Sequence, residues 1–218
     1  MDLDWVGRNL SDGEDILGLL GLHLLLALTP VLIALVVSIP LGYAVSRTRA
    51  AAGPLLAVAG VVYSIPSLAL FVTLPLLIGT RILDPINIVA ALTIYTIALL
   101  VRGVVDGFRS VPTDVTQAAD AMGMGRLRRV LTVELPLAMP VVFAGLRVAT
   151  ISNIALVSVG AVIGMGALGQ LFDLGFRQGF YTPIIVGIVL IVMLALVFDA
   201  VILLVQRLVL PWNRGAAT

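Results

Sequence analysis

The chain alternates between long uncharged apolar runs and short polar segments that gather its arginines. The uncharged runs cover residues 16–46, 50–80, 85–101, 148–172 and 178–198. A helix needs about 20 apolar residues to cross the hydrocarbon core of a bilayer. Backbone N–H and C=O groups find no water there, so helix is the default for such runs. The pattern predicts five membrane-crossing helices, near 19–46, 54–79, 86–105, 137–163 and 182–206, the fourth passing through Arg147. The fold class is all-α, a polytopic membrane protein organised as a single transmembrane domain over residues 1–218. Pro30, Pro40, Pro66 and Pro75 inside the first two spans predict kinks or breaks, since proline removes a helix hydrogen bond and crowds the preceding turn.

The segment 108–136 between the third and fourth spans is too long for a hairpin connection and has a pattern of its own. Val115, Ala118, Ala119 and Met122 fall at i, i+3, i+4 and i+7, one face of a short helix, with Asp114, Gln117 and Ala121 on another. Pro112 suits its first turn, Asp114 complements its positive end, and Gly123 fits the left-handed residue that stops it. A second short helix follows, with Leu127, Val130 and Leu131 on one face and Arg126, Arg128 and Arg129 on its exposed side, ending at Leu135-Pro136. From pattern alone this pair either rests on lipid headgroups or fills a groove on a partner protein.

Composition narrows the function. Hydrophobic residues are 61% and charged residues 11% of the chain, with mean hydropathy +1.17. A water-soluble enzyme needs a polar exterior that this chain lacks. There is no cysteine, so no thiol nucleophile and no disulfide framework. One histidine, His23, cannot form a multi-histidine metal site, and it reads as a hydrogen-bonded helix residue. All thirteen basic residues are arginine. Without lysine there is no phosphate-binding P-loop, so ATP, if used, binds to another chain. The net charge of +1 gives no bulk attraction to nucleic acid.

Arginine placement predicts orientation. Nine arginines (47, 49, 102, 109, 126, 128, 129, 207 and 214) fall on one side, three (8, 81 and 177) on the other. The amino terminus, with an external segment 1–18, is predicted outside, and the tail 207–218 in the cytoplasm. The acidic first residues do not resemble the positive start of a cleavable signal, so the first span is predicted to be retained. Two charges lie within spans. Arg147 is about 15 Å and Asp199 about 12 Å from the cytoplasmic ends of their helices, by the rise of an α-helix. They either pair, locking the fourth span to the fifth, or snorkel separately towards water. Arg102 and Asp106 are spaced as an i, i+4 pair. Gly160, Gly164, Gly166 and Gly169 permit tight packing or a bend. In the second case Gln170, Phe172, Asp173 and Phe176 form an outer segment that touches a delivering protein or lines a gate.

The loop motif carries a resemblance. Gln117-Ala118-Ala119, three residues, Gly123, eleven residues and Leu135-Pro136 resemble the EAA loop of ABC importer permeases, with uncharged Gln117 where the family pattern has glutamate. The stretches 135–140, 145–147 and 163–169 continue the resemblance, and 64–70 is similar to permeases for glycine betaine, carnitine and choline. The resemblance implies that the loop helix is a coupling helix, with Gln117, Ala118, Ala119, Asp120 and Gly123 seated in a cleft of a cytoplasmic ATP-binding subunit. It further implies an ATPase dimer, an extracytoplasmic substrate-binding protein and a second permease copy, identical or similar. The chain itself then holds no cofactor and does no covalent chemistry. Methionine permeases share the loop type and are the alternative within transport. An ion-coupled carrier would show several carboxylates near mid-membrane, where only Asp199 comes close.

Overall fold

The structure, a computed structural model, describes residues 5, 7 and 14–212. Most of the expected external segment 1–18, with Arg8, lies outside the described residues, as does the end of the tail with Arg214. The described residues form helices only: α1 (Glu14–Ser46), α2 (Arg49–Ser64), α3 (Ser67–Ile78), α4 (Pro85–Arg109), α5 (Thr113–Ala121), α6 (Arg126–Arg129), α7 (Leu135–Val157), α8 (Gln170–Gln178) and α9 (Tyr181–Val209). A π-helical turn, Val130–Glu134, joins α6 to α7, and two 3-10 turns, Ser158–Ile163 and Ala167–Gly169, join α7 to α8.

Four helical runs are long and apolar enough to cross a membrane: Ile16–Ser46, Pro85–Arg109, Arg126–Ile163 and Tyr181–Val209. The second expected span is not one rod. It is α2 and α3, bent by 101°. The break falls at Ile65-Pro66, where Pro66 lacks the N–H that would continue α2 and biases Ile65 towards its extended conformation (φ −67°, ψ 133°). The pair still runs the length of α4. Ala52 clusters with Val105 near one end, the Tyr95 hydroxyl donates to the Ile65 carbonyl in the middle, and Thr80 donates to Asn87 at 2.5 Å near the other end. The bent pair is therefore a fifth, broken crossing. Pro30 and Pro40, by contrast, lie inside an unbroken α1.

α4 is the central strut, packed against α1, α2, α3 and α7. Asp84 caps it by accepting from the Ile86 N–H at 3.0 Å, with Pro85 at its first position. The main core joins Leu26 of α1, Phe71 of α3, Ile88 and Leu92 of α4, Ile154 of α7 and Leu168. Polar bonds pin the same region. His23 Nε2 donates to the Ile154 carbonyl at 2.9 Å, and Asn153 bonds Thr96 at 2.9 Å and the Ala27 carbonyl at 3.3 Å. With few competing water molecules in lipid, such bonds hold α1, α4 and α7 in register. α9 packs on α7 and α8, and most of its length is exposed.

The glycines after α7 give both a bend and close packing. Gly164 is left-handed (φ 82°), and a Cβ on Gly166 would lie 2.3 Å from the Ala161 nitrogen. That backbone contact folds the chain back on itself before α8. The expected stop at Leu135-Pro136 does not occur. The π-helical turn carries the helix through into α7, and its wider hydrogen-bond ring leaves room for a residue without an N–H.

Candidate functional site

The loop 108–136 links the end of α4 to the start of α7, and its first helix, α5, packs against α6 and the π-helical turn. Pro112 sits one residue before the first turn and Asp114 within it. The stop is a Schellman motif: Gly123 N–H bonds the Asp120 carbonyl at 2.9 Å and Met124 N–H bonds the Ala119 carbonyl at 3.2 Å. Gly123 has φ 74°, and nothing lies within 4 Å of where its Cβ would be. Its role is torsional.

The four residues expected on one face divide. Ala119 is buried and Val115 half-buried, whereas Ala118 and Met122 are exposed. Gln117, Ala118, Asp120 and Ala121 form an exposed face of small and polar residues beside Met122, which is 69% exposed. This face can approach another protein closely. Nine residues, about 14 Å at 1.5 Å per residue, match a single groove in a partner.

What holds α5 in place is a chain of charges that sequence reasoning missed. Arg129 donates to Asp120 of α5 and, through Nε at 2.9 Å, to Glu134 on the π-helical turn. Arg47, just past α1, donates to the other Glu134 oxygen. Glu134 is 1% exposed. The predicted outward orientation of Arg129 is therefore corrected: its side chain is only 16% exposed, turned in by these two carboxylates. Arg126 and Arg128 are exposed as expected. The predicted inner face of the second helix is also corrected. Leu127 is 73% and Leu131 53% exposed, because the π-helical turn shifts the register and gives the inner position to Glu134. A second tie runs through Tyr43 of α1, whose hydroxyl accepts from Arg126 at 3.4 Å and whose ring lies under Arg47 at 5.1 Å and edge-on to Phe108 at 5.1 Å. One sequence signal did mark Glu134: it falls seven residues after Leu127, a carboxylate on an otherwise apolar stripe.

Within the bundle, Arg147 Nε and Nη2 donate to the two oxygens of Asp199 at 2.7 and 2.8 Å. The geometry is bidentate, the strongest arrangement for this pair. Arg102 and Asp106 are exposed and make no ion pair with each other, a correction. With the arginine N-terminal to the acid, their spacing is the weaker orientation.

The structure does not gather the four residues of α8 at one place. Gln170 and Asp173 border a cavity of about 660 Å³ with Ile16, Leu19 and Arg177. Asp173 accepts from Arg177 at 2.8 Å. Phe172 turns inward, and a Cβ on Gly187 of α9 would lie 2.7 Å from its ring. Phe176 points away, 85% exposed.

Four unbroken crossings, a fifth broken one and a short helix tied by ion pairs to one end of the bundle describe an all-α, multi-pass membrane protein. Residues 21–211 match the family described as binding-protein-dependent transport system inner membrane component. The chain belongs to this family. It is 30% identical to the glycine betaine/carnitine/choline transport system permease protein OpuCB of Bacillus subtilis over 92% of this chain and 91% of that one. It is 34% identical to the osmoprotectant import permease protein OsmW of Salmonella typhimurium over 87% and 89%. Among solved structures it resembles the permease fold in inward-facing conformations of the MetNI methionine ABC transporter. There the TM-score is 0.77 with 23% identity, covering 89% of this chain and 96% of that one. The chain is thus a multi-pass permease subunit of an ABC importer.

Proposed function

We propose that this permease translocates small quaternary ammonium osmoprotectants of the glycine betaine, carnitine and choline type. The sequence relatives support the substrate class: two carry glycine betaine, carnitine and choline, or choline alone, in their names, and OsmW carries osmoprotectant. The methionine alternative has only the likeness of fold behind it. A binding protein delivers the ligand from outside. ATP is bound and hydrolysed by a pair of separate cytoplasmic subunits, and this chain contributes no cofactor site.

The observation that carries the mechanism is α5, exposed on one face and held to α1 and α7 on the other. In this reading the helix and turn that carry Gln117, Ala118, Ala119, Asp120 and Gly123 form the coupling element, with Gln117, Ala118 and Asp120 facing the ATPase and Ala119 packed on the permease side. Closure of the ATPase pair on ATP moves α5, and the Asp120–Arg129–Glu134–Arg47 chain passes the motion to α1 and α7 as a rigid unit. The arginine distribution supports an orientation in the cell membrane with this end in the cytoplasm and the amino terminus outside. Gln170, Asp173 and Phe176 then face the binding protein from the opposite end. A second permease copy, the same or a similar chain, completes a pathway of which one five-crossing chain forms half.

The test is reconstitution of the permease with its ATPase and binding protein in liposomes. ATP-dependent accumulation of labelled glycine betaine, carnitine or choline is expected. Accumulation of methionine in place of all three overturns the substrate assignment.

The stop of α5 gives a separate prediction. An L-residue in the left-handed region costs roughly 1–2 kcal/mol, least for asparagine. Gly123→Asn is expected to retain most uptake. Gly123→Val, with a branched Cβ at the same φ, is expected to lower uptake several-fold with normal membrane insertion, and so is Ala119→Glu. Transport assays with immunoblots of the membrane fraction read both quantities.

A further inference from the structure

The break between α2 and α3 is exposed at mid-membrane, and lipid does not tolerate that. Tyr95, level with the break, lies ten residues after Pro85. That is about 15 Å along α4, half the thickness of a hydrocarbon core. At this depth the helical backbone stops. Pro66 has no N–H to return to α2, so the last carbonyls of that helix lose intrahelical partners. Part of the deficit is met locally: the Ile65 N–H bonds the Val62 carbonyl at 3.2 Å, and the Tyr95 hydroxyl donates to the Ile65 carbonyl. Yet Ser64, Ile65 and Pro66 are all exposed on the surface of the chain. Irregular backbone at membrane depth persists only where it meets protein or lines a water-filled cavity.

An aromatic surface stands at the same place. Tyr63 is 45% exposed. Its ring packs edge-to-face against Tyr95, with centroids 5.9 Å apart and planes at 83°. Tyr95 is itself fixed by its bond to Ile65, so the open face of Tyr63 is held by a braced neighbour. A cation crossing this region meets few negative charges. Asp199, the carboxylate that the sequence places well inside a span, is already neutralised by Arg147. The quadrupole of an aromatic face and the partial charges of backbone carbonyls are what remain. That combination binds a quaternary ammonium without trapping it, since an aromatic face strengthens binding only about twofold to thirtyfold.

We infer that the α2–α3 break faces the translocation pathway and that Tyr63 forms there a transit site for the quaternary ammonium group of the substrate. The site rests on the substrate class proposed above and adds a residue and a position to it. The carbonyls freed by Pro66 and the ring of Tyr63 take over from water as the cation passes. In a dimeric permease the equivalent ring of the second copy faces the same pathway.

The absence of cysteine makes the test direct, because Tyr63→Cys introduces a single thiol into the chain. In the complete complex in liposomes, a membrane-impermeant cationic methanethiosulfonate is expected to modify that thiol, and excess choline to slow the reaction several-fold. In parallel, Tyr63→Phe, which keeps the ring face, is expected to take up choline within about twofold of the unsubstituted complex. Tyr63→Leu is expected to lose roughly fivefold to tenfold in kcat/KM for choline, inside the roughly twofold to thirtyfold that a cation–π contact allows, with basal ATP hydrolysis unchanged. Equal uptake by the two variants, or a thiol that reacts only with a lipid-soluble maleimide, overturns the site. Failure of the unsubstituted complex to carry any quaternary ammonium is a different result: it removes the substrate class, and the ligand assigned to Tyr63 with it.

Discussion

Replacing Glu134 with glutamine is expected to uncouple ATP hydrolysis from transport. Glutamine keeps the shape of the side chain and removes the charge that two guanidinium groups share. Glu134 is 1% exposed, so water cannot take over as partner, and both Arg47 and Arg129 donate to it. Hydrogen bonds to charged groups contribute roughly 1.5–3 kcal/mol each, so the loss of charge is felt on the order of tenfold. The location matters more than the magnitude. Glu134 is the point at which the loop bearing α5 meets the end of α1, and without it Arg129 retains only Asp120, which is 53% exposed. α5 can then be moved by an ATPase without moving the bundle. Uptake is expected to fall about tenfold, while membrane insertion and basal ATP hydrolysis persist, which raises the ATP consumed per substrate carried. Arg47→Ala is expected to be milder, because that side chain is 37% exposed and Arg129 still holds the carboxylate. Equal falls in uptake and hydrolysis in Glu134→Gln would make the network a matter of stability alone.

The second large effect concerns Arg147 and Asp199. Either one replaced by leucine leaves the other as an uncompensated charge within a span, a costly state in lipid. Arg147→Leu and Asp199→Leu are each expected to lower the amount of folded permease in the membrane on the order of tenfold. The double variant Arg147→Leu with Asp199→Leu is expected to recover most of it, since two apolar side chains replace an ion pair within the membrane and leave no charge unpaired there. Immunoblots of the membrane fraction and the Tm in detergent check both. Losses that add in the double variant would show that the two charges act independently.

Much of this architecture is legible in the sequence, because membrane spans are set by length and apolarity, and both are written residue by residue. The stop of α5 was legible for a related reason: only a glycine readily takes the left-handed turn, and Gly123 stands where the apolar periodicity ends. Matching depths made the pairing of Arg147 and Asp199 one of two readings, and the two hydrogen bonds between them decide it. Other features depend on three-dimensional competition. Proline lies inside α1 and at the break after α2 alike, and only the packing of α4 against the second site, with Tyr95 reaching Ile65, supports a 101° bend there. The π-helical turn moves Glu134 inward and Leu127 outward, a register change that helical periodicity cannot register. Arg129 reads as one of three exposed arginines until the two carboxylates that turn it inward are placed in space. Arg102 and Asp106 show the converse, a spacing that fits an ion pair which water leaves unmade.

The central claim is that α5 seats in an ATP-hydrolysing partner. Ala118 is exposed on its outer face, and the chain has no cysteine to interfere. Ala118→Cys in the complete complex, treated with a short thiol-to-amine crosslinker and resolved by mass spectrometry, tests this directly. The account predicts one dominant product, joining the introduced thiol to the nucleotide-binding subunit, with a yield that changes on addition of ATP. Crosslinks confined to lipid headgroups or to the permease itself, unaltered by ATP, would contradict it.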